Sequence, residues 1–336
     1  MNILITGGAG FIGSHCAKVL KQCGHQLIVL DNLSRGSSEL VCYGPFEKGD
    51  CRDELFVREV LEKFQIDSVI HLAGYAYVEE SVREPLKYFS NNVGSLNSVL
   101  RAMNEVGVKN MVFSSSCTVY GNHPFPVTED VPLNPQCPYA KSKVFCEKLL
   151  AEVQQESGIR SVILRYFNVA GCDADGEIGE MHEPETHILP LMIRAALNGD
   201  NSFYIYGSDY PTPDGTCIRD YVHVTDVADA HLRAVEHLNK GGESRVYNLS
   251  RGEGISNLEL AQAVQKITGQ NFKLQFKPRR AGDEPCLIGS ASKIQEELGW
   301  SPQNSSLENM VQTALQWELL QRHKSCTSRV APRQEL

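Results

Sequence analysis

Asn2-Ile3-Leu4-Ile5-Thr6-Gly7-Gly8-Ala9-Gly10-Phe11-Ile12-Gly13 holds a strand, a turn and the start of a helix in one short stretch. Its first five residues are mostly apolar and β-branched, the composition of a strand buried in a parallel sheet. Glycines at 7, 10 and 13, and equally at 8, 10 and 13, allow a tight turn, close approach of a pyrophosphate and close helix–strand packing. The run that follows, to about Gln22, has helical period, so its N-terminus faces the phosphates. A second strand, Gln26–Leu30, ends in Asp31. That carboxylate stands about 20 residues beyond the loop, where it accepts from the adenosine ribose hydroxyls. It would repel a 2′-phosphate, so the spacing predicts NAD over NADP, with Arg35 as the nearby basic residue that argues the other way. Gly7, Gly10, Phe11, Ile12, Gly13 and Asp31 are the first candidate cofactor contacts.

Strands and helices alternate outward from this unit. Gly49-Asp50-Cys51-Arg52-Asp53 follows a strand-like stretch and opens a helix near 54–64, so Asp50 is either the helix cap or a contact to adenine. Ser68–Gly74 is a fourth strand ending in small residues, with His71 as a core histidine. In the helical stretch Pro85–Glu105, Asn91 and Asn92 are solvated or Asn91 points toward the cofactor. Lys109–Phe113 is a fifth strand, and the hydroxyls of Ser114-Ser115-Ser116 stand at its carboxyl end, where a doubly wound sheet places its chemistry. A proline-rich loop, Pro124–Pro138, then delivers Pro138-Tyr139-Ala140-Lys141-Ser142-Lys143 at the front of a helix over Tyr139–Gln155. Four residues make just over one turn, so Tyr139 and Lys143 share a face. A cation beside a phenol favours the phenolate, and Tyr139 is therefore expected to have a lowered pKa and to act as a base. Ser161–Asn168 is a sixth strand.

After Asn168 the texture changes. A Gly/Asp/Glu-rich loop (169–186) precedes helix 188–197, strand 202–207, a tight turn at Pro211–Thr216, the stretch Arg219–Val224, helix 227–238, strand 247–249, helix 257–268 and strand 273–278 ending at Arg279-Arg280. The predicted fold is α/β: a Rossmann-type doubly wound parallel sheet over 1–167, a smaller C-terminal α+β substrate domain over 168–325 with segments packing back on the first, and a polar tail, 326–336.

Composition narrows the function. The 336 residues carry 42% hydrophobic and 22% charged side chains, ordinary for a globular enzyme. Net charge is −9 and no basic run stands out, which argues against nucleic acid or an anionic membrane as partner. The eleven cysteines are scattered without a C-x-x-C pair, as expected of reduced thiols in a cytosol rather than a disulfide frame or a zinc site. No metal ligand set is read. With neither a secretory leader nor an apolar run of bilayer length, the chain is expected to be cytoplasmic.

The glycine loop with its acid, a serine at a strand's carboxyl end and Tyr-x-x-x-Lys on the next helix together specify hydride chemistry at a hydroxyl-bearing carbon. On these residues, and on FSSSCTVYG (113–121), LRYFN (164–168) and DYPTPDGTCIRDYVH (209–223), the chain resembles the extended short-chain dehydrogenase/reductases and, within them, the UDP-glucose 4-epimerases. The likeness runs nearly end to end. It implies that Ser116 and Tyr139 handle the proton while Lys143 holds the nicotinamide ribose. It adds Asn32, Asp50, Cys51, Leu72, Ala73, Asn91, Ser114 and Phe167 as NAD contacts. The nucleotide-sugar contacts it implies are Asn168, Ile188, Tyr206, Arg219, Arg280 and Asp283. Arg219 and Arg280 suit a diphosphate held by forked donors, or else form surface ion pairs, and Tyr206 suits a stack on uracil.

The chain also departs from that pattern. His187 stands where several members have an asparagine near the diphosphate, and Ala76 where a lysine or alanine often stands. Cys286 falls at the sugar-pocket gate, where a small residue leaves room for an N-acetyl group. The resemblance implies a homodimer packing helices such as those in 86–103 and 144–153. Other readings are a UDP-pentose or UDP-glucuronate 4-epimerase, a non-catalytic NAD-sensing protein and a nucleotide-sugar 4,6-dehydratase. The last carries Asp-Glu directly after the serine or threonine of the fifth-strand motif, whereas Ser116 is followed by Cys117-Thr118-Val119.

Overall fold

The computed structural model describes residues 1–198, 202–280 and 283–330. In the first half, β1 (Asn2–Thr6), α1 (Phe11–Gln22), β2 (Gln26–Asp31), β3 (Phe46–Lys48), α2 (Glu54–Lys63) and β4 (Ser68–His71) follow one another. Two short helices, α3 (Val78–Arg83) and α4 (Pro85–Tyr88), lead through a π-helical segment, Phe89–Val93, into α5 (Gly94–Val106). Then come β5 (Asn110–Ser116), α6 (Pro138–Ser157) and β6 (Arg160–Tyr166). The second half supplies β7 (Asn168–Ala170), α7 (Ile188–Asn198), β8 (Ser202–Tyr206), β9 (Ile218–His223), α8 (Val224–Asn239) and β10 (Arg245–Leu249). It closes with β11 (Gly254–Ser256), α9 (Asn257–Thr268), β12 (Lys273–Lys277), β13 (Cys286–Leu287), α10 (Ser292–Leu298) and α11 (Leu307–Val330).

Seven strands form one parallel sheet in the order β10-β6-β5-β4-β1-β2-β3. The order reverses between β1 and β4, and in such sheets the crevice at the reversal, beyond the strands' carboxyl ends, is where ligands bind. The turn Gly7–Gly10 and the end of β4 both open into it. Runs such as Ile3-Leu4-Ile5 and Val69-Ile70 are fully buried because helices cover both faces, which is why they read as continuous apolar stretches rather than alternating ones. One face packs against α1 and α8 through Cys16, Leu20, Val227, Val235 and the fully buried Trp300. The other packs against α2, α5 and α6 through Leu61, Leu96, Leu100 and Leu150.

The sheet therefore draws on both halves of the sequence: β10 pairs with β6 from Arg245↔Val162 to Leu249↔Tyr166. At Phe167 the chain leaves this sheet, and Asn168–Ala170 pairs instead with β9. The expected sixth strand thus divides after Tyr166. β9 also carries β11 antiparallel and β13 parallel, while β8 and β12 form a separate parallel pair. Lys18 on α1 ties the two halves by ion pairs to Asp173, Asp175 and Glu177.

The strands β11 and β13 are too short to show a period, and nothing in the sequence announced them. The helix α11 was legible but not read: Met310, Val311, Ala314 and Trp317 fall at three- and four-residue spacing and all are buried. It runs to Val330, through the first residues of the expected polar tail; 331–336 lie outside the described residues.

Candidate active site

A cavity of about 670 Å³ runs along the carboxyl end of the large sheet and into the second half. Every residue set above for the dinucleotide lines it, from Gly7 to Phe167. The loop is built to be bare. Gly7 has φ +71°, and a Cβ on it would lie 2.7 Å from the backbone nitrogen of Ala73. A Cβ on Gly13 would lie 2.4 Å from the carbonyl oxygen of Gly7. Gly10 caps α1 without a side chain, which leaves the first-turn N–H groups of that helix to a ligand's phosphates. At the far end, Asp31 accepts from the backbone N–H groups of Ala9 (3.1 Å) and Leu33 (2.7 Å), while burial pushes its carboxyl pKa up. This cradle, with an acid fixed at its end, fits an unphosphorylated adenosine ribose and a pyrophosphate. Arg35 also borders the cavity, but it pairs with Glu80 at 2.7 Å and lies over the Tyr77 ring.

Two open assignments are resolved. The α2 cap is Asp53, whose side chain accepts from Phe56 N, so Asp50 is not the cap. Asp50 instead pairs with Arg52, which holds its carboxyl down at about 2, and faces the cavity. His71 is a core histidine, bonded through Nδ1 to Thr6 Oγ1 at 2.8 Å. In the π-helical turn Asn91 lines the cavity, whereas Asn92 is buried and clamps both backbone groups of Tyr75 and the Ser142 hydroxyl. The sequence read there as plain helix. An added residue in one turn leaves no mark on a hydrophobic pattern, although such turns concentrate at functional sites.

Ser116, Tyr139 and Lys143 all line the cavity, and each is buried. Pro138 occupies the first turn of α6, and the Cys137 thiol accepts from Ala140 N, so the helix starts just before Tyr139. Ser116 ends β5 and accepts from Thr118 Oγ1 at 3.0 Å. Lys143 Nζ donates to the Ser114 carbonyl at 2.6 Å and sits 4.9 Å from the centre of the Phe113 ring.

The expected acidification of Tyr139 by Lys143 is not found. Burial pushes the phenol above its ordinary range, with only a hydrogen bond from Ser116 pulling the other way. Burial also brings Lys143 down to about 8. The helical spacing places both groups on one face, as read. Desolvation is the largest influence on each group.

Lys143 gives a pH signature. Its folded pKa lies below the unfolded 10.5, so between about 8 and 10.5 the unfolded chain binds more protons and stability rises with pH. Without cofactor, the unfolding free energy of the wild type relative to Lys143→Met should therefore gain roughly 3 kcal/mol across that window. Urea melts at a series of pH values measure it, and a difference independent of pH would overturn the assignment.

On the second half's side, Asn168, His187, Arg219 and Asp283 line the cavity. Arg219 donates to the Glu284 carbonyl at 2.8 Å and lies 3.7 Å from Asp283 Oδ1. The other four residues set for the nucleotide sugar do not line it. Ile188 begins α7 and packs into that half's core. Tyr206 carries the Arg280 guanidinium 4.0 Å above its ring. Cys286 pairs in β13 with Ile218 of β9, next to the lining residue Leu287. Ala76 does line the cavity and offers no side-chain donor there.

Sequence reasoning missed Glu180 and His182, which border the cavity beside His187. It also missed Glu147, one turn beyond Lys143. Its carboxylate takes the Ser115 hydroxyl at 2.5 Å and the Arg165 guanidinium at 3.0 and 2.6 Å. The signal was present: Tyr139, Lys143 and Glu147 repeat at four-residue spacing, and a charge on a buried helix face needs a partner.

Residues 3–250 match the NAD dependent epimerase/dehydratase family. The chain is 44% identical over 327 residues to a UDP-glucose 4-epimerase of Lactobacillus helveticus, covering 97% of this chain and 98% of the relative. Among solved structures it resembles the UDP-glucose 4-epimerase of Brucella ovis in complex with NAD, at 45% identity and TM-score 0.91, covering 94% of this chain and 97% of that one. It also resembles the Bifidobacterium longum UDP-glucose 4-epimerase in complex with NAD⁺ and UDP, at 36% identity and TM-score 0.91, covering 96% and 99%.

Proposed function

The chain belongs to the NAD dependent epimerase/dehydratase family, and we propose that within it this protein interconverts UDP-glucose and UDP-galactose by inverting C4. The observation that carries the reading is that Ser116, Tyr139 and Lys143, the glycine cradle and Arg219 all line a single cavity. NAD, bound in the cradle, supplies the hydride acceptor and donor that the chain lacks. The protein's own groups do the rest. Tyr139 takes the 4-hydroxyl proton and returns it to the same oxygen after the sugar has turned its other face, and Ser116 holds that oxygen. Arg219, Asn168 and His187 keep the UDP moiety in place while the sugar turns, so binding energy far from C4 retains the 4-keto sugar. Residues 1–167 would serve the dinucleotide and 168–325 the nucleotide sugar.

The relatives named above cover this chain almost end to end, which favours this reading over a pentose, glucuronate or dehydratase activity. Cys286 lies beside the cavity wall and is small, so the pocket also admits UDP-GlcNAc and UDP-GalNAc. Among the described residues no helix is long and apolar enough to cross a membrane. We place the enzyme in the cytoplasm, as a homodimer that covers the exposed Leu86 (83%), Val82 (62%) and Phe145 (58%).

Purified protein incubated with UDP-galactose and no added NAD should form UDP-glucose, resolved by NMR. UDP-N-acetylglucosamine should turn over in the same assay. A 4-keto-6-deoxy product, or no product even after NAD is added, would overturn the proposal.

A further inference from the structure

The loop between β7 and α7 gathers four ligand-bearing side chains that the proposed reaction does not require as a group. One ligand atom from each of Glu180, His182, Glu185 and His187 lies within 4.8 Å of all the others. His187 Nδ1 is 2.7 Å from Glu180 Oε1 and 3.0 Å from Glu185 Oε1. His182 Nδ1 is 3.0 Å from Glu180 Oε1 and 4.0 Å from Glu185 Oε2. Both carboxylates are withdrawn from solvent, with side-chain exposures of 7% and 2%.

Glu185 shows what the cluster lacks. Its Oε1 accepts from the backbone N–H groups of Thr186 and His187, which fixes the carboxylate plane. Its Oε2 is fully buried and has no hydrogen-bond partner. A carboxylate oxygen can only accept, and leaving one buried without a donor or cation is costly. That bare oxygen lies on the side of His182 Nδ1.

Two imidazole nitrogens and two carboxylate oxygens make the ligand set of a borderline dication such as zinc, held by four ligands at about 2.0–2.2 Å. Bonds of that length separate tetrahedral ligands by about 3.3 Å, so the four atoms need move little. The supports around them are those of a built site. The Glu180 carbonyl accepts from Trp317 Nε1 at 3.0 Å, and the His182 ring meets Phe11 and Tyr77 edge-on. Such outer contacts orient metal ligands. We propose that Glu180, His182, Glu185 and His187 form a binding site for a zinc-class divalent cation at the wall of the cavity. The sequence hid it because the four residues lie within one irregular loop, where no helical or strand period fixes which side chains converge.

The test uses the full chain, stripped with a chelator and titrated with zinc alone in a calorimeter, then with cobalt(II) as a spectroscopic probe. The wild type should bind one equivalent tightly, show a tetrahedral cobalt spectrum with no thiolate charge-transfer band, and melt at a higher temperature with zinc. His182→Gln and Glu185→Gln should each weaken the cation at least about 100-fold and lose the zinc-dependent rise, while melting as the wild type does in chelator. Failure of the wild type to bind zinc would overturn the proposal. So would a thiolate band that both variants retain, which would place the ion on the chain's cysteines. These readouts need no turnover, so they stand or fall separately from the epimerase assay.

Discussion

Tyr139→Phe should lower kcat for UDP-galactose by about two to four orders of magnitude, the usual contribution of a positioned acid–base group. KM should change little, because the proposed UDP contacts, Arg219, Asn168 and His187, line the cavity and are untouched by the substitution. The fold should hold as well. Only one hydroxyl is lost, and Ser116 keeps its bonds to Thr118. Steady-state kinetics with a thermal melt as control measure the effect. A variant that keeps more than a tenth of its turnover would move the proton chemistry to Ser116 or another group.

The second large effect is on stability. Arg165 and Glu147 form a doubly bonded pair between β6 and α6, with side-chain exposures of only 6% and 7%. Arg165 also donates to the Tyr120 hydroxyl at 2.8 Å, and Tyr120 donates to Asn248 Oδ1 at 2.6 Å. Removing one ion of such a pair leaves its partner charged in a dry interior, so Arg165→Met should cost about 3–5 kcal/mol. Replacing both, as Arg165→Met with Glu147→Leu, should recover much of that loss, because two desolvation penalties disappear together. Urea midpoints for the single and double variants close the cycle. A single-variant cost below about 1 kcal/mol would mean that water reaches the pair. The pair also bears on catalysis, since Glu147 holds the helix face that carries Tyr139 and Lys143 against Ser115, the neighbour of Ser116.

The glycine turn, Asp31, the hydroxyls closing β5 and Tyr-x-x-x-Lys could be read directly because each depends on neighbours in sequence. A strand ending in glycine must turn, and a four-residue interval on a helix must share a face. The same logic reached the parallel sheet, since buried strands alternating with helices leave few other arrangements. It erred where environment decides. The phenol of Tyr139 was expected to acidify, and the cost of burying the phenolate reversed that. Nor could it show that the Arg280 guanidinium, read with Tyr206 as a substrate contact, lies over the Tyr206 ring.

By itself, then, the sequence determined a doubly wound dinucleotide fold and NAD as its cofactor, and it singled out Ser116, Tyr139 and Lys143, because local spacing and side-chain chemistry suffice for each. Only the tertiary structure decided that β10 completes the sheet begun by residues 2–6, that Glu147 and Arg165 neutralise each other inside it, and that Glu185 joins Glu180, His182 and His187 with one oxygen unpaired. The physical reason is common to all three. Burial, protonation and pairing depend on which distant residues arrive beside a side chain, and no interval within the chain encodes that.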